Sequence, residues 1–93
     1  MPLRRVRAPN RVAATGPQIA YPPNGARVAV GGGVLALKVR AGRPPFTWLV
    51  NGQPVETRSL DREITWRPDG PGFVGISVID ALGEAARARV FVE

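Results

Sequence analysis

Short runs in which apolar and polar residues alternate recur along the chain and predict β-strands. In residues 35–40 every second side chain is apolar, and Lys38 and Arg40 occupy two of the intervening positions. A period of two is typical of a strand with one face in the core and the other in water. By alternation, or by short runs of β-branched and aromatic residues, strands are predicted at 18–21, 27–30, 35–40, 46–50, 53–55, 64–67, 73–79 and 86–93.

Glycine, proline and asparagine separate these runs. Asn51-Gly52 lies between two of them and is the strongest hairpin signal, because this pair tolerates the positive φ angles of the tightest hairpin turns. Residues 57–63 are polar and without a pattern, and the sequence offers at most a turn of helix. We therefore predict an all-β fold, a small immunoglobulin-like β-sandwich of about seven antiparallel strands. A small closed barrel is the alternative fold.

Basic residues near the N-terminus supply most of the net positive charge of the chain. The formal net charge is +6, but Arg4, Arg5, Arg7 and Arg11 precede every patterned segment. Residues 1–16 are predicted to be a flexible basic linker and residues 17–93 the folded domain. Since the remaining charges nearly balance, no nucleic-acid partner is expected; binding driven by charge would have to survive deletion of residues 1–11.

The inventory of reactive side chains argues against an enzyme. The chain has no cysteine and no histidine, which removes the commonest general base and the commonest metal ligands. Ser59 and Ser77 are the only serines, and neither has a lysine one helical turn away. Asp61 with Glu63, or Asp69 with Asp80, could form a carboxylate pair, but each lies in a turn context. We predict no catalytic residue, no metal and no cofactor.

Asp80 and two further features have ordinary structural interpretations. Asp80 precedes Ala81-Leu82-Gly83 and is expected to close a hairpin loop. The run Gly31-Gly32-Gly33 precedes a strand and carries no following Lys-Ser/Thr, so it predicts a flexible connection and not a phosphate-binding loop. Arg87 and Arg89 would share a face of the last strand, where a solvated face is favoured over a binding patch for an anionic polymer.

Aromatic residues are the candidates for ligand contact. Trp48 shares a face with the other apolar residues of its strand, which predicts a core position. Trp66 alternates with polar neighbours, which also favours a core position, but its short strand could form a sheet edge, and the alternative is an exposed indole that stacks on a sugar ring. Tyr21 precedes a proline pair, and Phe91 is predicted on the outer face of the last strand. The candidate ligand-binding residues are Trp66, Tyr21, Arg67 and Phe91, of which Arg67 is adjacent to Trp66.

Four motifs in order carry a family resemblance. They are Tyr-Pro-Pro-Asn-Gly-Ala at 21–26, Gly-Arg-Pro-Pro-Phe-Thr-Trp-Leu-Val-Asn-Gly at 42–52, Trp-Arg-Pro-Asp-Gly-Pro-Gly-Phe at 66–73 and Val-Ile-Asp-Ala-Leu-Gly at 78–83. The set resembles the C-terminal domain of bifunctional penicillin-binding proteins of the 1C type. The resemblance covers most of residues 17–93.

The resemblance implies a parent enzyme whose chemistry lies elsewhere. Such a parent is a bacterial peptidoglycan synthase, anchored in the inner membrane and facing the periplasm, with glycosyltransferase and transpeptidase domains. The Ser-x-x-Lys, Ser-x-Asn and Lys-Thr-Gly motifs of the transpeptidase do not occur here, so no family catalytic residue carries over. A non-catalytic accessory domain is expected, with the parent's other domains and cell-wall synthesis proteins as partners. The alternative is a peptidoglycan-binding module that uses exposed aromatics.

The chain itself is not expected to insert into a membrane. Its longest apolar stretches, such as 46–50 and 72–79, are far shorter than the roughly 20 residues that span a bilayer. No apolar segment follows the basic N-terminus, so an export signal is expected outside this chain.

Overall fold

Two β-sheets packed face to face form the domain. The computed structural model describes residues 16–93, so all of the predicted linker except Gly16 lies outside the described residues. The strands are β1 (Gln18–Tyr21), β2 (Arg27–Val28), β3 (Leu35–Arg40), β4 (Phe46–Val50), β5 (Gln53–Ser59), β6 (Glu63–Trp66), β7 (Gly72–Ile79) and β8 (Ala85–Val92). One sheet has the order β1-β3-β6 and the other β2-β8-β7-β4-β5. This arrangement confirms the predicted all-β sandwich.

All strand pairs but one are antiparallel within the described residues. Strand β2 is the exception and pairs in parallel with the last strand, with Arg27 opposite Phe91 and Val28 opposite Val92. The backbone N–H of Glu93 extends this contact by donating to the Val28 carbonyl over 2.8 Å. The first and last parts of the domain are thereby held together at one sheet edge.

The core lies between the two sheets and follows the predicted alternation. The inward side chains of β3 are buried, and so are those of β4, β7 and most of β8. Trp48 and Phe46 on β4 are the largest fully buried side chains, with no exposed surface. Burying a large apolar side chain stabilises a fold by about 1.5–3 kcal/mol, so these two residues anchor the sandwich. The prediction that Trp48 is a core residue is confirmed.

A buried carboxylate organises the loop between β7 and β8. Asp80 Oδ1 accepts hydrogen bonds from the backbone N–H groups of Leu82 (3.0 Å) and Glu84 (2.9 Å). Its Oδ2 accepts from the backbone N–H of Arg43 over 3.1 Å, and the N–H of Ala81 donates to the Arg43 carbonyl over 2.8 Å. The predicted turn role of Asp80 is confirmed, and the same side chain also ties the hairpin to the loop before β4.

Strand β5 is longer than the sequence pattern predicted. It continues to Ser59, which pairs with Phe46, whereas the alternation ended at residue 55. The register with β4 shifts twice, and Arg58 has a φ of 55°. Because each shift changes which side chains face the core, the strand shows no period of two and its second half could not be recognised in the sequence.

Replacing Asp80 tests the importance of this loop. Asp80→Ala removes three hydrogen bonds to a buried, negatively charged acceptor, and we expect the free energy of unfolding in urea to fall by about 2–4 kcal/mol. Asp69→Ala, which removes an exposed carboxylate, should change it by less than about 0.5 kcal/mol. Equal stabilities of the two variants would contradict this role for Asp80.

Candidate functional site

Trp66 lies at the end of β6, beside two shallow depressions. Its Cα partner is the buried Leu35, so the indole is directed inward and is only partly exposed. The depressions have volumes of about 330 Å³ and 310 Å³. The turn at Asn51 and the carboxylate of Asp69 line both of them with Trp66. An indole edge next to amide and carboxylate groups could contact a polar ligand such as a sugar.

The structure does not bring the other predicted ligand-binding residues to Trp66. Tyr21 is on β1, across β3 from β6, and pairs with the exposed Lys38, so Tyr21 and Trp66 lie on opposite faces of their sheet. The Arg67 Nη1 atom donates to the carbonyl oxygen of Gly32 over 3.0 Å. Arg67 is therefore engaged with the loop between β2 and β3.

Phe91 belongs to a different surface, which we call the outer face. The outer face is the solvent side of the five-stranded sheet and comprises Arg27, Leu49, Phe73, Gly75, Ser77, Ile79, Arg87, Arg89 and Phe91. Cross-strand pairing arranges it in rows, with Phe73 beside Phe91 in one row and Gly75 beside Arg89 in the next. It brings three arginine and two phenylalanine side chains together on one sheet face.

Two arginines, Arg27 from the first row and Arg89 from the second, contact the two phenylalanines. The rings of Phe73 and Phe91 meet edge to face, with centroids 5.0 Å apart and an interplanar angle of 74°. The Arg27 Cζ atom lies 4.8 Å from the Phe91 centroid, and the Arg89 Cζ atom lies 5.0 Å from that of Phe73. Each such cation–π contact is worth about 0.5–1 kcal/mol at an exposed site. The contacts hold both guanidinium groups close to the sheet.

Two Asn-Gly turns flank the second row from opposite sides. Asn51 Oδ1 accepts from the Gly75 N–H over 2.9 Å, and the Asn51 N–H donates to the Gly75 carbonyl over 2.7 Å. On the other side, Asn24 Oδ1 accepts from the Arg89 N–H over 2.8 Å, and the Gly25 N–H donates to the Arg89 carbonyl over 2.7 Å. Each turn thus forms with one residue of β7 or β8 the two hydrogen bonds that a neighbouring strand would form.

A concavity of about 440 Å³ lies above Gly75. A methyl group added at Gly75 would have Asn51 Oδ1 at 3.8 Å as its nearest neighbour, so the missing side chain leaves open space. Asn24, Ser77, Arg87 and Arg89 line this concavity, together with Asn51 and Gly52. Its polar side chains are two guanidinium groups, two amides and one hydroxyl, without a carboxylate.

Sequence reasoning missed this site. In the sequence, Asn24 and Asn51 are recognisable only as residues of Asn-Gly pairs between strands, and Gly75 only as part of a strand. A glycine inside a strand often marks a place where another group approaches closely, and that signal was present in the run 73–79.

No metal site or membrane-spanning helix occurs in residues 16–93. These residues contain no group of three or more acidic, histidine or cysteine side chains that could hold a metal ion. The described chain also has no helix of the length and apolarity needed to cross a bilayer.

Substitutions at Asn51 separate its two contributions. Asn51 has a φ of 52°, a conformation that glycine adopts without strain and alanine does not. We expect Asn51→Gly to lose mainly the bond to Gly75, lowering the free energy of unfolding by about 1 kcal/mol. Asn51→Ala should lose about 1 kcal/mol more, because strain is added. Urea denaturation of both variants measures the difference; an alanine variant as stable as the glycine variant would contradict it.

Comparison with known proteins gives the fold and the family. An engineered protein of known crystal structure is 24% identical to the chain with a TM-score of 0.63; the match covers 83% of this chain and 20% of that one. Fibronectin(III)-like modules of Clostridium thermocellum CbhA are 23% identical to the chain with a TM-score of 0.59. The match covers 82% of this chain and 92% of that one. These likenesses concern the fold alone. No curated protein sequence gives a significant match.

The family is established by a match that covers nearly the whole chain. The model of the Penicillin-Binding Protein C-terminus Family matches residues 7–91, which include all four motifs on which the resemblance was based. The match begins within the segment predicted to be a linker, ten residues before the predicted start of the domain at residue 17. The chain therefore belongs to the penicillin-binding protein C-terminus family.

Proposed function

We propose that this chain is a non-catalytic accessory domain of a bacterial peptidoglycan synthase, a bifunctional penicillin-binding protein. It acts in cell-wall synthesis by binding other proteins or by positioning its parent enzyme. The family match over residues 7–91 is the observation that carries this proposal. A sandwich with shallow surface depressions and one broad sheet face suits contact with a macromolecule better than enclosure of a small substrate.

The contacts of the reactive side chains support a structural role for them. The buried Ser59 accepts a hydrogen bond at Oγ from the Asp61 N–H over 3.2 Å, within the turn that follows β5. Both carboxylate oxygens of Asp80 accept from backbone N–H groups. A nucleophile needs an adjacent base, and the sequence has no histidine to provide one.

The proposal places the domain at the periplasmic face of the inner membrane. Penicillin-binding proteins of the bifunctional type act there, and membership of their C-terminal family supports the same location for this chain. Its partners would be the parent's other domains and further proteins of cell-wall synthesis. In this proposal the catalytic groups and the membrane anchor belong to other parts of the parent.

Removal of the domain from its full-length parent tests the proposal. We expect the purified truncated synthase to polymerise and cross-link glycan strands within about twofold of the intact enzyme, because the domain contacts no reacting atoms. In intact cells, chemical cross-linking should no longer recover the truncated synthase with other cell-wall synthesis proteins. A tenfold or larger loss of activity in the purified enzyme, with its cellular cross-links unchanged, would overturn the proposal.

Glycan binding at Trp66 is the second candidate function. The observation in its favour is that the partly exposed indole lines two adjacent depressions with amide and carboxylate neighbours. Tyr21, Arg67 and Phe91 do not contribute to these depressions. A glycan site at Trp66 would thus consist of Trp66, the exposed Phe73 and the polar groups of Asn51, Gln53 and Asp69.

An NMR titration of the chain with soluble, uncrosslinked peptidoglycan fragments distinguishes the two functions. The chain has two indole N–H signals, and the buried Nε1 of Trp48 serves as an internal control. Under the accessory-domain proposal, neither signal should show a saturable shift. A saturable shift of the Trp66 signal, with that of Trp48 unmoved, would favour glycan binding.

A further inference from the structure

We propose that the outer face binds an acidic, extended segment of a partner protein, with carboxylates paired to Arg87 and Arg89. This inference rests on the proposed accessory function and names the chemistry of the partner. The segment would lie along β8 and over the concavity above Gly75.

The charges of the outer face are the first reason. Arg27 has a partner, since its Nε lies 2.8 Å from Glu93 Oε2, the sole ion pair found within residues 16–93. Arg87 and Arg89 are exposed and face a concavity that has no acidic lining residue. On the outside of the other sheet, Lys38 lies opposite Glu63 in the strand register. Of the three arginines on the outer face, Arg87 and Arg89 therefore have no carboxylate partner within residues 16–93.

The hydrogen-bonding groups of the concavity are the second reason. The Oδ1 atoms of Asn24 and Asn51 already accept from the backbone N–H groups of β8 and β7. These bonds fix the orientation of each amide, and its NH₂ group, which can only donate, remains available for a ligand. With the two guanidinium groups and the hydroxyl of Ser77, the concavity presents mostly donors, which suits carboxylate oxygens.

The spacing of the arginines favours an extended polypeptide. Residues two apart on a strand project from the same face about 6.7 Å from each other. Arg87 and Arg89 have this relation, and so do alternate side chains of an extended peptide. A segment with an acidic residue at every second position can therefore pair one carboxylate with each arginine.

The aromatic rings of this face are poorly placed for stacking on sugars or bases. The Arg89 guanidinium lies over the Phe73 ring, whose other contact is the edge-to-face packing with Phe91. Arg27 lies over Phe91. Stacking on a glycan or nucleic acid needs an uncovered aromatic face. Phe73 is nevertheless 65% exposed, and with the half-buried Leu49 and Ile79 it adds apolar surface beside the arginines on the same face.

Binding of a synthetic peptide to the full 93-residue chain tests this inference. The probe is a fluorescein-labelled peptide of about ten residues in which Glu alternates with Thr, so that it can span the length of β8. The matched peptide has Gln in place of Glu. We expect saturable binding of the Glu peptide by fluorescence anisotropy, and binding at least about tenfold weaker for the Gln peptide.

Matched variants separate a specific site from general attraction between charges. The variant Arg87→Gln with Arg89→Gln should weaken binding of the Glu peptide about tenfold or more. The control variant, Lys38→Gln with Arg58→Gln, loses the same charge from other surfaces and should weaken it less than about threefold. The N-terminal arginines remain in both variants, so their contribution is common to both. Equal effects of the two variants would overturn the inference.

A steric variant gives a second, independent readout. The backbone of Gly75 lies outside the positive-φ region, and an added Cβ meets no atom closer than 3.8 Å, so Gly75→Val should fold. The branched side chain should obstruct the concavity above residue 75 and weaken binding of the Glu peptide about tenfold or more without changing the surface charge. Unchanged binding by folded Gly75→Val would exclude the concavity as the binding site.

Two further results separate this inference from its alternatives. Soluble peptidoglycan fragments also carry carboxylates; if they displace the Glu peptide as well as unlabelled peptide does, the ligand is the glycan's stem peptide and the inference fails. Cross-linking of the full-length synthase with Arg87→Gln and Arg89→Gln should lose the partner that is lost on removal of the domain. If only removal of the domain abolishes that cross-link, the accessory function stands and this inference fails.

Discussion

The burial of Trp48 and Phe46 on β4 is the contact on which the two-sheet structure depends. Both side chains have no exposed surface, and β4 pairs with β5 on one side and β7 on the other. A chain of 93 residues has a small core, so a few large side chains supply much of its apolar burial. The opposite sides of β4 and β7, which face water, are thereby presented as a regular surface.

Two asparagine side chains beside that surface accept hydrogen bonds that the carbonyl groups of a neighbouring strand would otherwise accept. Asn24 and Asn51 each use a side-chain oxygen to accept from a strand N–H that would otherwise face a gap in the sheet. Together the two turns hold the adjacent residues Gly75 and Arg89 in place. The glycine needs no side chain for this purpose, and the depression above it follows from its small size. The same interactions that complete the sheet therefore also create its one arginine-lined concavity in the described residues.

Much of the fold could be predicted from the sequence because it is encoded locally. The alternation in 35–40 reports directly which side chains face the core, and Asn51-Gly52 defines a hairpin by its own backbone preference. Strand β5 is the exception, since its irregular register with β4 is set by a partner strand and leaves no period in its own residues.

The candidate site was less predictable because it depends on which strands become neighbours. Trp66 and Arg67 are adjacent in the sequence, yet one side chain packs toward the core and the other reaches the loop at Gly32. Phe73 and Phe91 are far apart in the sequence and meet only through the pairing of β7 with β8. Composition identifies aromatic and basic residues, but their assembly into one surface requires the register of the sheet.

The irregular backbone of β5 affects whether a strand of another protein can pair with the edge of this sheet. As the last strand of its sheet, β5 has one side without a neighbouring strand in the described chain. Pro54 lacks the N–H that an added strand would need, and the left-handed conformation of Arg58 interrupts the extended backbone. A foreign strand consequently finds no continuous row of donors and acceptors there. The edge at β5 is therefore poorly suited to pairing with a strand of another chain.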